Sequence, residues 1–126
     1  MNKRRVDEMI PKAFDVLKQV GIVKGDVINS AWRGQISSFG ASMVQGSLLA
    51  AVSFFSAKGK QEEGRTLVDR SLLVKAIERM LDLNESLFEY VKAKMASGDE
   101  MRAKETIVNA AVALKLAMNL YERERS

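Results

Sequence analysis

Residues 34–57 read GQISSFGASMVQGSLLAAVSFFSA and hold no charge, in a 126-residue chain of which 29% is charged. So long an uncharged run either crosses a membrane or is buried among other elements. Gln35, Ser37, Ser38, Ser42, Gln45, Ser47, Ser53 and Ser56 punctuate it, together with Gly40 and Gly46. That density of polar positions is costly in lipid, so burial within a water-surrounded fold is the expectation and no membrane partner is expected. The second half, residues 42–57, reads as a helix: Val44, Leu48, Ala51 and Phe55 recur at helical spacing, and Met43, Ala50 and Phe54 widen that face. Ser42, Gly46, Ser53 and Ser56 form an opposite strip of small residues that lets another helix come close. The remaining helices are expected to pack around this one.

The flanking segments carry the same period. Val6, Ala13, Leu17 and Val20 predict a first helix over residues 3–20, with Pro11 either kinking it or marking the start of its firm part. Gly21 and Gly25 break the chain. Asp26 is placed to cap a second helix over 27–38, with Ile28, Trp32 and Ile36 on one face, and Gly40 is expected to interrupt the run before the central helix. Trp32 reads as core. Residues 58–65, KGKQEEGR, have the glycines and charges of an exposed loop.

Leu73, Ile77, Met80 and Leu81 predict a fourth helix over 66–82. Asp82 and Glu85 stand at capping-box spacing, which breaks the chain there and restarts a helix at Asn84. A single long helix is the competing reading, since Leu73, Ile77, Met80, Leu87 and Val91 nearly keep a heptad. The fifth helix runs to Ala96, Asp99 caps the last one, and the charged end, YERERS, is expected to fray. No segment alternates with period two for long enough to predict a strand. The expectation is a single all-α domain over residues 1–126, a compact bundle of five to six helices around the charge-poor central helix.

Composition narrows the chemistry. The chain has no cysteine, which excludes disulfides and thiolate metal sites and fits a reducing cytoplasm, the expected location. No apolar core follows the basic MNKRR start, so no signal peptide is read there. The chain also has no histidine, which removes the commonest general base and any Ser-His-Asp arrangement. Neither GxxxxGK[ST] nor GxGxxG is present. Asp82, Glu85 and Glu89 would lie near one another on a helix, but Arg79 and Lys92 stand at ion-pair spacing from them, so a solvated face is the simpler reading than a metal site. No catalytic residue, metal or cofactor is expected.

Twenty Lys and Arg against 16 Asp and Glu give a formal net charge of +4. The basic residues fall in short groups: Lys3, Arg4 and Arg5; Lys58, Lys60 and Arg65; and Lys92, Lys94, Arg102 and Lys104. Each group serves solubility, and together they allow a sequence-independent grip on a phosphate backbone.

The run MVQGSLLAAVSFFSAK, residues 43–58, resembles the hallmark of the small-subunit family of Cmr complexes, the type III-B CRISPR RNA-guided effectors. A hydrophobic pair, a polar residue and a glycine lead into an apolar helix that ends in Ala/Phe and then Ser-x-Lys. Where the family often has leucine after the glycine, this chain has Ser47. The order of elements and the chain length also fit. The resemblance implies a non-enzymatic α-helical subunit of an antiviral defence complex. Copies of it would stack in a filament beside the Cmr backbone subunits, next to guide and target RNA, and the backbone subunit would cleave the target. The family run is core, so it assigns no RNA contact. Charge placement alone marks Lys3, Arg4, Arg5, Lys58, Lys60 and Arg65 as the nucleic-acid-binding candidates. The rival reading is a free-standing helical adaptor that binds a protein partner and no RNA. A third is a hydrolase with an all-carboxylate metal site.

Overall fold

A computed structural model describes residues 1–57, 60–63 and 66–124, with 60–63, 66 and 67 described by their backbone alone. Helix α1 (Lys3–Gln19) forms where the 3.6 period predicts it and turns Val6, Ala13, Val16 and Leu17 into the core. It runs unbroken through Pro11, which lies on its exposed side. The Asn2 side chain caps it by accepting from the Arg5 amide at 3.2 Å.

The chain then departs from the expected second helix. Strands β1 (Val23–Lys24) and β2 (Val27–Asn29) form a hairpin in which Lys24 pairs with Val27, leaving Gly25 and Asp26 as a two-residue loop. Gly25 sits at φ +64°, the left-handed geometry such loops need. Asp26 therefore caps no helix; its carboxylate accepts from Lys18 Nζ at 2.9 Å. Ile28 is buried in the middle of a strand, where its spacing to Trp32 had suggested a helix.

Helix α2 (Ala31–Gln45) starts later and ends later than expected, passing through Gly40. The break falls at Gly46, whose backbone is extended, and Ser47 caps helix α3 (Leu48–Ser56) by accepting from the Ala50 amide at 3.0 Å. The uncharged stretch thus folds as two helices. The break resets the helical phase, so Met43, Leu48, Ala51, Val52 and Phe55 are buried while Val44 and Phe54, expected inward, are 68% and 61% exposed. Trp32 is buried, as its core reading expects.

Strands β3 (Lys60–Glu63) and β4 (Thr66–Asp69) pair antiparallel, Lys60 opposite Asp69 and Glu63 opposite Thr66. Residues 66–69 are therefore strand rather than helix. Helix α4 (Ser71–Met80) begins where the Asp69 carboxylate accepts from the Ser71 amide and hydroxyl at 3.0 and 2.6 Å. The break at Asp82 is present, and Asp82 adopts a left-handed φ of +53°. The capping box is not: helix α5 (Leu87–Ala96) starts at Ser86, whose hydroxyl accepts from the Glu89 amide, while the Glu78 carboxylate accepts from the Leu87 amide at 2.6 Å. Asp99 stands at the cap position of helix α6 (Glu100–Met118) but makes no capping bond, accepting instead from the Ser97 hydroxyl.

Beyond α6 the end does not fray over its described residues. Strand β5 (Glu122–Glu124) pairs parallel with β2 to complete a sheet of order β1-β2-β5. Tyr121 anchors it: its ring stacks on Phe14 with centroids 4.3 Å apart, and its hydroxyl donates to the Phe14 carbonyl at 2.6 Å. Asn109 accepts from the Asn2 amide at 2.9 Å, so residues 2 and 14 meet residues 109 and 121, and α1 and α6 run parallel. Alanines 103, 110, 111, 113 and 117 keep the buried face of α6 narrow enough for α1 and α2 to approach it. The result is an all-α bundle of six helices among the described residues, with two small sheets at its margin. No helix among them is long and apolar enough to cross a membrane.

Candidate nucleic-acid interface

Of the six residues marked by charge, the structure describes Lys3, Arg4, Arg5 and the backbone of Lys60. Lys3, Arg4 and Arg5 form the exposed first turn of α1. That turn holds no acidic residue. Cations at a helix N-terminus oppose the helix dipole, each at a cost of about 0.3–1 kcal/mol. Arg4 offsets a little of this through Glu8, 3.9 Å away, in an ion pair open to solvent on both sides. The free amides of the same turn share the cations' preference for anions.

Lys60 opens β3, its side chain outside the described residues; Lys58 and Arg65 lie wholly outside them. The base of that hairpin is fixed, because Val68 and Asp69 line a cavity of about 220 Å³ together with Gly21 and Ile22. Those two glycine and isoleucine positions come directly after the C-terminal end of α1. A 17-residue helix spans about 26 Å, so the hairpin base and the Lys3–Arg5 turn stand at opposite ends of α1.

The first turn of α1 instead has Arg102 and Lys104 for neighbours. Met1 lines one depression with both of them, and the Asn2–Asn109 bond ties the start of α1 to α6. Met1 and Asn2 thus set the start of α1 beside the half of α6 that carries Arg102 and Lys104. Lys92 and Lys94, grouped with Arg102 and Lys104 in sequence, have local company: Lys92 meets Glu89 at 3.5 Å and lies 5.8 Å from the Phe88 ring, and Lys94 lies 5.7 Å from the Tyr90 ring.

Arg70 and Phe54 were not among the candidate site residues; Phe54 was expected in the core. The Arg70 guanidinium lies 4.6 Å from the centroid of the exposed Phe54 ring and 5.5 Å from that of Phe55. Its buried Nε makes no hydrogen bond to a described residue. An exposed ring backed by a cation is the arrangement on which an unpaired base can stack. One signal was available: adjacent helical residues point about 100° apart, so Phe54 and Phe55 cannot both face the core.

No carboxylate site assembles among the described residues. Asp82 accepts from Lys12 at 2.8 Å, Glu89 faces Lys92, and no group of three ligand-type side chains gathers. The depression of about 600 Å³ between α1 and α4 sets Lys12, Lys75 and Arg79 against Asp15, Glu78 and Asp82, so its charges balance.

The chain matches no protein-family model, no curated protein and no solved structure.

Proposed function

We propose that this chain is the non-catalytic small subunit of a type III-B CRISPR (Cmr) effector complex, a cytoplasmic antiviral assembly. It stacks with other copies of itself beside the backbone subunits and touches guide and target RNA through the phosphate backbone. The run over residues 43–58 carries this reading. Two features support it: the bundle is of the fold class the resemblance implies, and the cations at the start of α1 stand where the helix dipole disfavours them, a cost that solubility alone does not require.

The exposed Val44 and Met101 favour a protein partner and sustain the adaptor reading. Affinity purification of the tagged chain from its native host separates the two. Recovery of Cmr backbone subunits with repeat-tagged guide RNA is the expected result. Unrelated proteins without RNA would leave the adaptor.

A further inference from the structure

Helices α2 and α6 leave an open groove between them. At one end Val44 of α2 faces Met101 and Val108 of α6, in a depression of about 540 Å³. Further along, Gly40 and Ala41 of α2 face the same Val108 and Val112 of α6, so the two depressions form one trough. Its length is set by α6: from Met101 to Lys115 is about 21 Å, or four helical turns. Val44 and Met101 are 68% and 77% exposed. A side-chain atom added at Gly40 would meet nothing within 4 Å, so the small residues of α2 leave space above them.

The rim is cationic. Arg102, Lys104 and Lys115 line the trough against a single acid, Glu105. Arg33 stands one turn before Ser37 on the same stripe of α2, and that helix has no acid at all. None of these four cations forms an ion pair with a described residue.

We propose that this groove seats an acidic amphipathic helix of another protein. The apolar floor would take its leucine-type side chains at helical spacing, and the unpaired cations its flanking carboxylates. RNA would use the cations but not an apolar floor. A second copy of this chain fits poorly. Its four-turn helices already spend their apolar faces on its own core or on this trough, and groove against groove would set like charges together. The inference does not rest on the RNA-guided reading: it gives Arg102 and Lys104 to the groove and leaves Lys3, Arg4 and Arg5 to the phosphate grip.

The test is a titration of the isotopically labelled chain with a helix-stapled peptide of about 14 residues, about 21 Å long. It has Leu at i, i+4, i+7 and i+11 and Glu on both flanks. The expected result is amide shifts confined to α2 and α6. A Lys-for-Glu peptide should bind roughly tenfold more weakly, and Val44→Glu and Met101→Glu should each cost roughly tenfold. Both substituted positions are exposed, so helicity should be unchanged, and Leu120→Glu, on the exposed end beyond α6, should bind normally. The proposal is overturned if the acidic peptide does not bind, or if it binds Val44→Glu and Met101→Glu as tightly as the parent. It is equally overturned if sedimentation shows Val44-dependent self-association, or if a single-stranded RNA shifts the same floor residues.

Discussion

Tyr121 joins the two ends of the chain with a ring and a hydroxyl, and the two parts can be weighed separately. Tyr121→Phe keeps the stack on Phe14 and loses the 2.6 Å bond to the Phe14 carbonyl. It should cost about 1 kcal/mol in urea unfolding, whereas Tyr121→Ala, which also empties a buried site, should cost about 3 kcal/mol or more. The hydroxyl also gives stability a pH dependence. Burial raises its pKa above the ordinary 10.0, against the attraction of Lys18. The hydrogen bond to Asp26, and then that carboxylate's charge, raises Lys18 above 10.5. For both groups the folded chain holds the proton more tightly than the unfolded chain. Their contributions are therefore present in full below about pH 10 and are lost as the pH climbs through the folded values. Unfolding free energy should be flat approaching pH 10 and fall above it, and Tyr121→Phe should fall less steeply. Equal slopes in the two proteins would remove Tyr121 from this account.

At the scale of elements, sequence and structure agree where the period is long and part where segments are short. Helix α1 and the buried stripe Leu73–Ile77–Met80 were legible from their repeating pattern. The break at Asp82 is where it was expected, but for another reason: no capping box forms, and Asp82 itself turns left-handed while Ser86 caps the next helix. The strands were not, since two to four residues cannot show an alternation. Val27 and Ile28 extended a helical stripe plausibly, and only the Gly25-Asp26 turn argued otherwise. The break was expected at Gly40, with Gly46 inside the central helix, and the structure has it the other way round. Their C-terminal neighbours separate them: Ser47 can cap a new helix and Ala41 cannot. The candidate interface was legible only as groups of charge; that the start of α1 lies beside the half of α6 that carries Arg102 and Lys104 depends on α1 running parallel to α6, which no local pattern encodes. Capping gives a direct test of this scale. Ser47→Ala and Ser86→Ala each remove a bond to a helix amide and should cost about 1 kcal/mol. Asp99→Ala removes only a 3.3 Å contact from Ser97 and should stay within about 0.5 kcal/mol of the parent. A cost for Asp99→Ala equal to the other two would show that it caps α6 in solution.

At the scale of the whole molecule, the length of α1 decides how the basic groups act on a polyanion. About 26 Å separates its first turn from the base of the β3–β4 hairpin, several times the screening length of about 8 Å at physiological salt. Lys60 opens β3 opposite Asp69 at that base, so its contribution to RNA binding and that of the α1 turn should add. Each phosphate neutralised on single-stranded RNA contributes about 0.7 to the slope of log affinity against log salt. Replacing Lys3, Arg4 and Arg5 with Gln should therefore flatten that slope by about 2. Lys58→Gln with Lys60→Gln should flatten it by about 1.4, and the five-fold variant by the sum of the two. Filter binding to a single-stranded RNA over a salt series measures all three, with circular dichroism confirming equal helicity. A hairpin variant with the parent's slope would assign Lys58 and Lys60 to solvent and leave the phosphate grip to the end where α1 begins. Equal slopes in all variants would remove both groups and turn the proposal toward the adaptor, whose partner would then be sought at the groove between α2 and α6.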